Sequence, residues 1–313
     1  MRYELWRQDD NGNRFPVGSY PELSAAEGRL AGLSRSLHKQ TYWITVQEDE
    51  EVMTASLDMS DQFLDHPVLS GRYFYPWPNR FEEPFFVEGN GFRLGCRYCR
   101  VHDGAPTIIH FHGNGESVAD YLGEFEERIT GLGANLLLAE YRGYGMSSGV
   151  PALAAMLEDV ELIVAASGVP EEQLIFFGRS LGSLYALHGA ARYPRAAGLI
   201  IESGLADPLE RILVRIEPRE VGATTEELRA SVQRCFDQQE KIASFTGRVL
   251  IMHTRNDDLV SVSHAERLHA WANEPKRLLV FERGDHNTIL PANLEAYFAA
   301  VGRFIRGIRS AGC

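Results

Sequence analysis

LIFFGRSLGSLYALHGAARY (174–193) is the stretch on which the reading of this chain turns. Four apolar residues run into Gly178-Arg179-Ser180-Leu181-Gly182, and a segment with helical spacing follows at once. As a bare pattern G-x-S-x-G recurs by chance. Between a buried strand and a helix it acquires a mechanical meaning, because so tight a turn needs small residues two before and two after the serine. The turn lifts the Ser180 hydroxyl to the top of a sheet. It also sets the Leu181 N–H at a helix N-terminus, aimed at developing negative charge. The competing reading is a glycine-rich turn with an idle serine, and the rest of the chain decides between them.

Short apolar runs alternate with helical patterns on both sides of this stretch: TIIHFH (107–112), NLLLAEY (135–141), GLIIES (198–203), VLIMHT (249–254) and RLLVFE (277–282). Continuous apolar runs of this length suit parallel strands covered on both faces. Leu153, Met156, Val160 and Ile163 mark one intervening helix, closed by Gly168. Leu294, Tyr297, Phe298, Val301, Phe304, Ile305 and Ile308 mark the last. The alternation predicts the α/β class, a mostly parallel, doubly wound sheet with ligands at the carboxyl ends of its strands. PFFVEGNGFRLGCRYCRV (84–101) reads as a hairpin that opens this domain, assigned to residues 84–313. Residues 204–246 contain no strand pattern. Leu209, Ile212, Leu213 and Ile216, then Leu228, Val232 and Phe236, predict helices there, inserted as a cap above the strand ends.

The first 50 residues form a unit of their own. YELWRQ (3–8) and RFPVGSY (14–20) flank the turn signal Asp10-Asn11-Gly12-Asn13, Leu30, Leu33 and Leu37 recur at helical spacing, and TYWITV (41–46) reads as a strand. The expectation is a small ββαβ domain over 1–50, an α+β appendage that ends in the acidic stretch QEDEE (47–51). An aromatic-rich segment, 51–83, then serves as a linker or as the lining of a cleft.

Composition narrows the function classes. Of the 313 residues 44% are hydrophobic and 24% charged, which is ordinary globular usage. The net charge of −12 repels phosphate backbones, so nucleic acid is not the expected partner. No apolar run approaches the roughly 20 residues of a membrane helix. The charged opening MRYELWRQDDNGN lacks a signal-peptide core, so the cytoplasm is expected. Four cysteines make no disulfide framework, and in a strand the offset of three puts Cys96 and Cys99 on opposite faces. They read as packing thiols, with no metal expected.

A serine hydroxyl needs a base to act as a nucleophile. Of ten histidines, His286 lies in Glu282-Arg283-Gly284-Asp285-His286-Asn287, between the last strand and the last helix, at the carboxyl edge of the sheet. His253 ends a strand and is expected to pack there; His110 and His112 alternate on another strand and read as structural. The base in turn needs a carboxylate to hold its tautomer. Arg255-Asn256-Asp257-Asp258-Leu259-Val260 follows a strand and offers two, and Asp285 is a third. A second oxyanion donor should come from the loop His112-Gly113-Asn114-Gly115-Glu116, through the Asn114 N–H.

With these residues assembled, the chain from about 84 to 310 resembles the α/β-hydrolase superfamily. The order Ser180, Asp257, His286 is that family's triad order. Within it the chain is similar to serine hydrolases carrying an H-G-N loop, Y-R-G-Y-G-x-S and G-R-S-L-G, here His112–Asn114, Tyr141–Ser147 and Gly178–Gly182. That set includes lysophospholipase-like, serine-aminopeptidase-like and depalmitoylating members. The resemblance implies Asp257 as the triad acid, since the family's acid stands three residues after the position of Thr254. Three positions depart from the pattern: Glu140 stands for the usual Asp, Thr254 for Gly and Ser261 for Pro.

The expected function is a serine hydrolase of an acyl bond, a carboxylic ester first, using Ser180, Asp257 and His286 with oxyanion donors Leu181 and Asn114. No cofactor is required, and the expected partner is a small acyl substrate. A thioesterase or peptidase would use the same parts. A non-catalytic binding or scaffold module, with the N-terminal unit as its contact surface, is the alternative of another class. A dehalogenase is excluded, because Ser180 occupies the place of the aspartate it would need. Neither the natural substrate nor an oligomeric state is written in these motifs.

Overall fold

β1 (Arg2–Gln8) and β2 (Arg14–Tyr20) pair antiparallel, α1 (Leu23–Leu33) follows, and β3 (Thr41–Gln47) pairs with the other side of β1. Leu5 at the middle of β1 and Ala26 on α1 are buried. This computed structural model describes residues 2–8, 14–33, 41–47 and 61–311. The turn at residues 10–13, Leu37, the acidic stretch beyond Gln47 and Cys313 lie outside the described residues. The chain divides into two compact units, Met1–Leu57 and Asp58–Cys313.

The second unit begins, among the described residues, with α2 (Pro67–Tyr73) and the antiparallel pair β4 (Phe85–Glu88) and β5 (Arg93–Cys99). The alternating part then runs β6 (Thr107–Phe111), α3 (Glu124–Gly131), β7 (Asn135–Ala139), α4 (Leu157–Ser167), β8 (Leu174–Arg179), α5 (Gly182–Arg192) and β9 (Gly198–Glu202). The insertion supplies α6 (Pro208–Leu213), α7 (Thr225–Phe236) and α8 (Gln238–Ser244). β10 (Arg248–Thr254), α9 (Val262–Trp271), β11 (Lys276–Phe281), the short α10 (Ile289–Ala292) and α11 (Leu294–Ala311) complete it.

The eight strands stand in the order β11-β10-β9-β8-β6-β7-β5-β4, parallel from β11 to β7 and antiparallel at the β5 and β4 edge. Period-two alternation sorts their side chains into two cores. Ile109, Phe111, Phe176, Leu199, Ile201 and Ile251 join one apolar cluster with α4, α5 and α9. Ile108, Ile175, Phe177, Ile200, Leu250 and Met252 join the other with α3 and α11. Both faces are therefore covered, which is why these strands are apolar throughout.

Strand order places the site. β6 leads away to β7, while β8 leads the other way to β9, β10 and β11. β6 and β8 are neighbours, so the loops after them diverge at a switch point, where an open α/β sheet has its crevice. The elbow follows β8 and the His112–Glu116 loop follows β6.

Two boundaries differ from the sequence expectation. The stretch expected as a linker or as the lining of a cleft belongs, from Asp58 onward, to the second unit. Leu64, Leu69, Tyr73 and Phe74 are buried in its core, so these four serve packing rather than spacing, while Tyr75 and Trp77 stay exposed. The cap also ends before 246: Ile242 and Phe245 are fully buried, and α8 packs against α5 and α9 in the helix layer of the sheet.

Close approach explains both elbow glycines. A β-carbon on Gly178 would lie 2.4 Å from the Gly182 carbonyl oxygen, and one on Gly182 would lie 2.0 Å from that of Phe111. Backbone cannot yield as a flexible side chain does. Gly182→Ala is therefore expected to destabilise the second unit by at least the about 1–3 kcal/mol of an overpacked core. Gly131 on α3 has nothing within 4 Å of such a carbon, so Gly131→Ala should be neutral or stabilising by up to about 1 kcal/mol. Denaturant unfolding of the two variants checks the pair, and equal stabilities would refute the steric argument.

Candidate active site

Ser180 is held at φ 50°, a left-handed conformation that a side chain adopts at a cost on the order of 1–3 kcal/mol. Its surroundings enforce this. The Ser180 N–H donates to the Glu202 carbonyl at 2.8 Å, and its own carbonyl accepts the Ser183 hydroxyl at 2.6 Å. The Ser183 hydroxyl in turn accepts the Leu205 N–H at 3.0 Å, which fastens the start of the insertion to the elbow.

The three side chains expected from the sequence come together. The Ser180 hydroxyl donates to His286 Nε2 at 2.9 Å, and His286 Nδ1–H donates to Asp257 Oδ2 at 2.8 Å. His286 and Asp257 are buried. The other two carboxylates are elsewhere: Asp258 is exposed, and Asp285 is also exposed and closes its own turn on Asn287 and Thr288.

Asp257 is saturated with donors. Oδ1 accepts the N–H groups of Leu259 at 3.0 Å and Val260 at 2.7 Å, and Oδ2 has His253 Nε2 at 3.3 Å besides His286. Burial alone would raise its pKa. The His253 and His286 hydrogen bonds, with the Val260 N–H, overcome that and hold the carboxyl well below the usual carboxylate range. His253 was expected only to pack; its Nε2–H also bonds the Val260 carbonyl at 2.8 Å, bracing the turn that carries the acid. The legible signal was its spacing, four residues before Asp257.

Beneath these groups lies a buried cation that sequence reading passed over. Arg179 donates to the His286 carbonyl at 2.9 Å and pairs with Glu116 at 2.7 Å and Glu202 at 3.1 Å. Burial works against its charge, but Tyr121, Glu116 and Glu202 outweigh it and keep the guanidinium protonated. Glu116 is further held by the Tyr121 hydroxyl at 2.6 Å and the Gly113 N–H at 2.7 Å, and Glu202 by the Tyr297 hydroxyl.

The loop after β6 is positioned from its other side by His112, whose Nε2–H donates to Glu140 at 2.7 Å. Glu140, the residue that departs from the family pattern, also takes the Val118 N–H at 3.0 Å and the Tyr141 N–H at 3.1 Å. Burial would lower the His112 pKa, yet Glu140 raises it. The Asn114 amide is tied to the Tyr73 carbonyl and its Oδ1 accepts from Tyr144 at 2.8 Å, so its side chain anchors the loop. At the departure at Ser261, the hydroxyl caps α9 by accepting the Ser263 N–H at 3.3 Å.

Ser180, Leu181, Asn114 and His286 line one cavity of about 130 Å³. Leu205, Arg211 and Arg215 of the insertion and Tyr73 and Tyr75 of the aromatic segment line it as well, so the insertion lies on the side of Ser180. A wider cleft of about 690 Å³ opens before β6, β7 and β8, around His102, Gly133 and Glu172, and contains none of these groups. Among the described residues no cluster of His, Cys, Asp and Glu could hold a metal, and no helix is long and apolar enough to cross a membrane. Cys96 is free, and burial pushes its thiol up to about 12, which leaves it without thiolate chemistry at neutral pH.

Comparison with known proteins agrees with this architecture. Residues 104–222 match the family described as serine aminopeptidase, S33. The human alpha/beta hydrolase domain-containing protein 17B is 30% identical over 211 residues, 64% of this chain and 67% of that protein. An uncharacterised protein of Mycobacterium tuberculosis is 31% identical over 225 residues, 69% and 76% of the two chains. Among solved structures, Est1E from Butyrivibrio proteoclasticus with ferulic acid bound overlays with a TM-score of 0.60 at 17% identity, over 72% of this chain and 99% of that one. The Paleococcus ferrophilus monoacylglycerol lipase overlays with a TM-score of 0.54 at 17% identity, over 69% and 99%.

The low pKa of Asp257 has a consequence for stability. A carboxylate whose pKa is depressed on folding contributes stability that is complete above the unfolded value near 3.9 and is lost as the pH falls through the folded value. The difference in unfolding free energy between wild type and Asp257→Asn should thus be greatest near neutrality and shrink below about pH 4. Denaturant titrations across that range measure it, and a difference that grows on acidification would refute the assignment.

Proposed function

The chain belongs to the α/β-hydrolase superfamily, and from that premise we propose that it is a serine hydrolase cleaving an acyl bond, a carboxylic ester first. The observation that carries this reading is the continuous hydrogen-bond chain from the Ser180 hydroxyl through His286 to Asp257, set on a strained strand–helix turn. Ser180 Oγ attacks the ester carbonyl while His286 Nε2 takes its proton. Asp257 holds the Nδ1–H tautomer and stabilises the imidazolium that forms. The carbonyl oxygen gains negative charge, and the N–H groups of Leu181 and Asn114 are the donors assigned to it. Leu181 lies at the N-terminus of α5, where the helix adds its own partial positive charge.

His286 then returns the proton to the departing alkoxide. The bond from carbonyl carbon to leaving oxygen breaks, and the acyl group stays on Ser180. Water, deprotonated by the same imidazole, attacks the acyl carbonyl; the bond from carbonyl carbon to Ser180 Oγ then breaks, His286 returns the proton to Oγ, and the acid leaves. Every proton is accounted for by one histidine, so the reaction calls for no cofactor.

The cavity sets the scale of the acyl group. Ligand pockets for drug-sized molecules run about 300–1,000 Å³, and 130 Å³ is well below that. A nitrophenyl ester series should therefore peak at short acyl chains and fall off with length, with an aminoacyl amide cleaved more slowly. A maximum at long chains or on the amide would refute the ester reading in its present form.

Ser180→Ala should fold as wild type and lose both turnover and labelling by a fluorophosphonate probe, leaving only about 10³–10⁴-fold over the water reaction. Asp257→Asn should cost several hundred-fold or more in kcat/KM, within the up to about 10⁴ known for such a carboxylate. Asp258→Asn and Asp285→Asn should each cost less than about ten-fold. Unlabelled wild-type protein would point to the non-catalytic module instead.

A further inference from the structure

The chain carries a net charge of −12, yet not one acidic residue lines the cavity around Ser180. Three arginines do: Arg179, Arg211 and Arg215. Arg179 is neutralised by Glu116 and Glu202. The other two are not: among the described residues no carboxylate pairs with Arg211 or Arg215. The nearby acids of the insertion are already engaged. Glu210 binds Arg267 and His264, Glu217 binds Arg219, and Glu220 binds Arg72.

The two cations are also placed against each other. Arg211 lies on α6, and the chain continues one more turn beyond it, with the Arg215 N–H bonded to the Ile212 carbonyl at 2.9 Å. Residues four apart on a turn of helix face the same way, and like charges so placed repel. Leu209, Ile212 and Ile216 turn into the core, which leaves the arginine pair facing the cavity. Arg215 is held there: its guanidinium sits 5.1 Å over the Tyr75 ring and donates to the Tyr75 hydroxyl. Such an arrangement costs repulsion when empty and recovers it when an anion is present.

Building on the serine-hydrolase reading, we propose that the substrate carries an anionic group, a carboxylate or a phosphate, close to the scissile carbonyl, held by Arg211 and Arg215. The guanidinium fork suits both anions, because each offers paired oxygens in one plane. Tyr73, whose phenol burial pushes up to about 12 against the pull of Arg211 and Arg215, stays neutral beside them and can donate but not repel. The field of the pair also draws an anion toward a cavity that the rest of this acidic surface would repel.

The test is a ratio of kcat/KM values. One arm compares the mono-nitrophenyl ester of succinate with nitrophenyl butyrate, placing the charge on the acyl side as a carboxylate. The other compares butyryl glycerol 3-phosphate with butyryl glycerol, placing it on the leaving side as a phosphate. In one arm wild type should prefer the anion at least ten-fold, and Arg211→Gln with Arg215→Gln should lower that ratio at least ten-fold. Arg211→Lys, which keeps the charge, should retain most of the preference, and the neutral ester measured on every variant reports folding and chemistry. Turnover of neutral esters with no anion preference in either arm, or a preference indifferent to both arginines, overturns this inference and leaves the hydrolase reading intact. No turnover of any ester together with no fluorophosphonate labelling of Ser180 removes both.

Discussion

Arg179 is the charge on which the candidate site depends. Its guanidinium ties together four pieces of backbone that come from distant parts of the chain: the loop after β6 through Glu116, the end of β9 through Glu202, the loop after β11 through the His286 carbonyl, and the elbow to which it belongs. Glu202 then reaches α11 through Tyr297. Ionic groups this deep gain little net stability, since desolvation offsets most of their attraction. Removing one partner is another matter, costing about 3–5 kcal/mol because the remaining charges are left unpaired. The network therefore contributes geometry more than stability. It fixes the separation of His286 from Ser180, which an apolar core of equal volume would leave to packing.

Much of this was readable from the chain, and for definable reasons. The sheet was legible because strands covered on both faces must be apolar at every position; each of the six runs read from the sequence is a strand. Ser180, His286 and Asp257 were legible because each follows a strand in the second half of the sheet, in an order that the fold restricts. Arg179 stands inside the G-R-S-L-G motif, yet nothing local in the sequence marks its role. Its partners lie 63 residues before it, 23 after it and 107 after it, counting to Glu116, Glu202 and His286, and no local pattern encodes such pairings. His253 packs at its strand end as expected, but its contact with Asp257 is hidden for a related reason. A histidine at a strand end looks like packing until the turn that follows brings a carboxylate back to it.

Of the two readings of the aromatic segment before β4, the lining of a cleft agrees with the structure and the linker does not. GRYFYPWPNRF carries the prolines and irregular spacing of a linker. It is retained against the second unit because its polar atoms are satisfied there: the Tyr73 carbonyl takes the Asn114 amide, and the Tyr75 N–H is shared by Asn114 and Tyr144. Backbone partners of this kind are invisible to hydropathy, and they are what converts an irregular stretch into a wall of the cavity.

The proposed chemistry and the proposed selectivity are assigned to different parts of this chain. The groups assigned to bond cleavage sit on loops fixed by the sheet, and they carry recognisable residues: glycines where backbones touch, a serine where the turn is strained, a histidine in the loop after the last strand. The other groups that line the cavity, Leu205, Arg211 and Arg215, come from the insertion between β9 and β10. An insertion is tethered only at its two ends and by the packing of its apolar face, here Leu209, Ile212 and Ile216. Nothing in that constraint dictates what the opposite face carries. Residues there are free to vary with what the cavity holds, which is why they form no motif, and why an acyl chemistry could be argued from the sequence while the proposal of an anionic substrate rests on the geometry of the cavity.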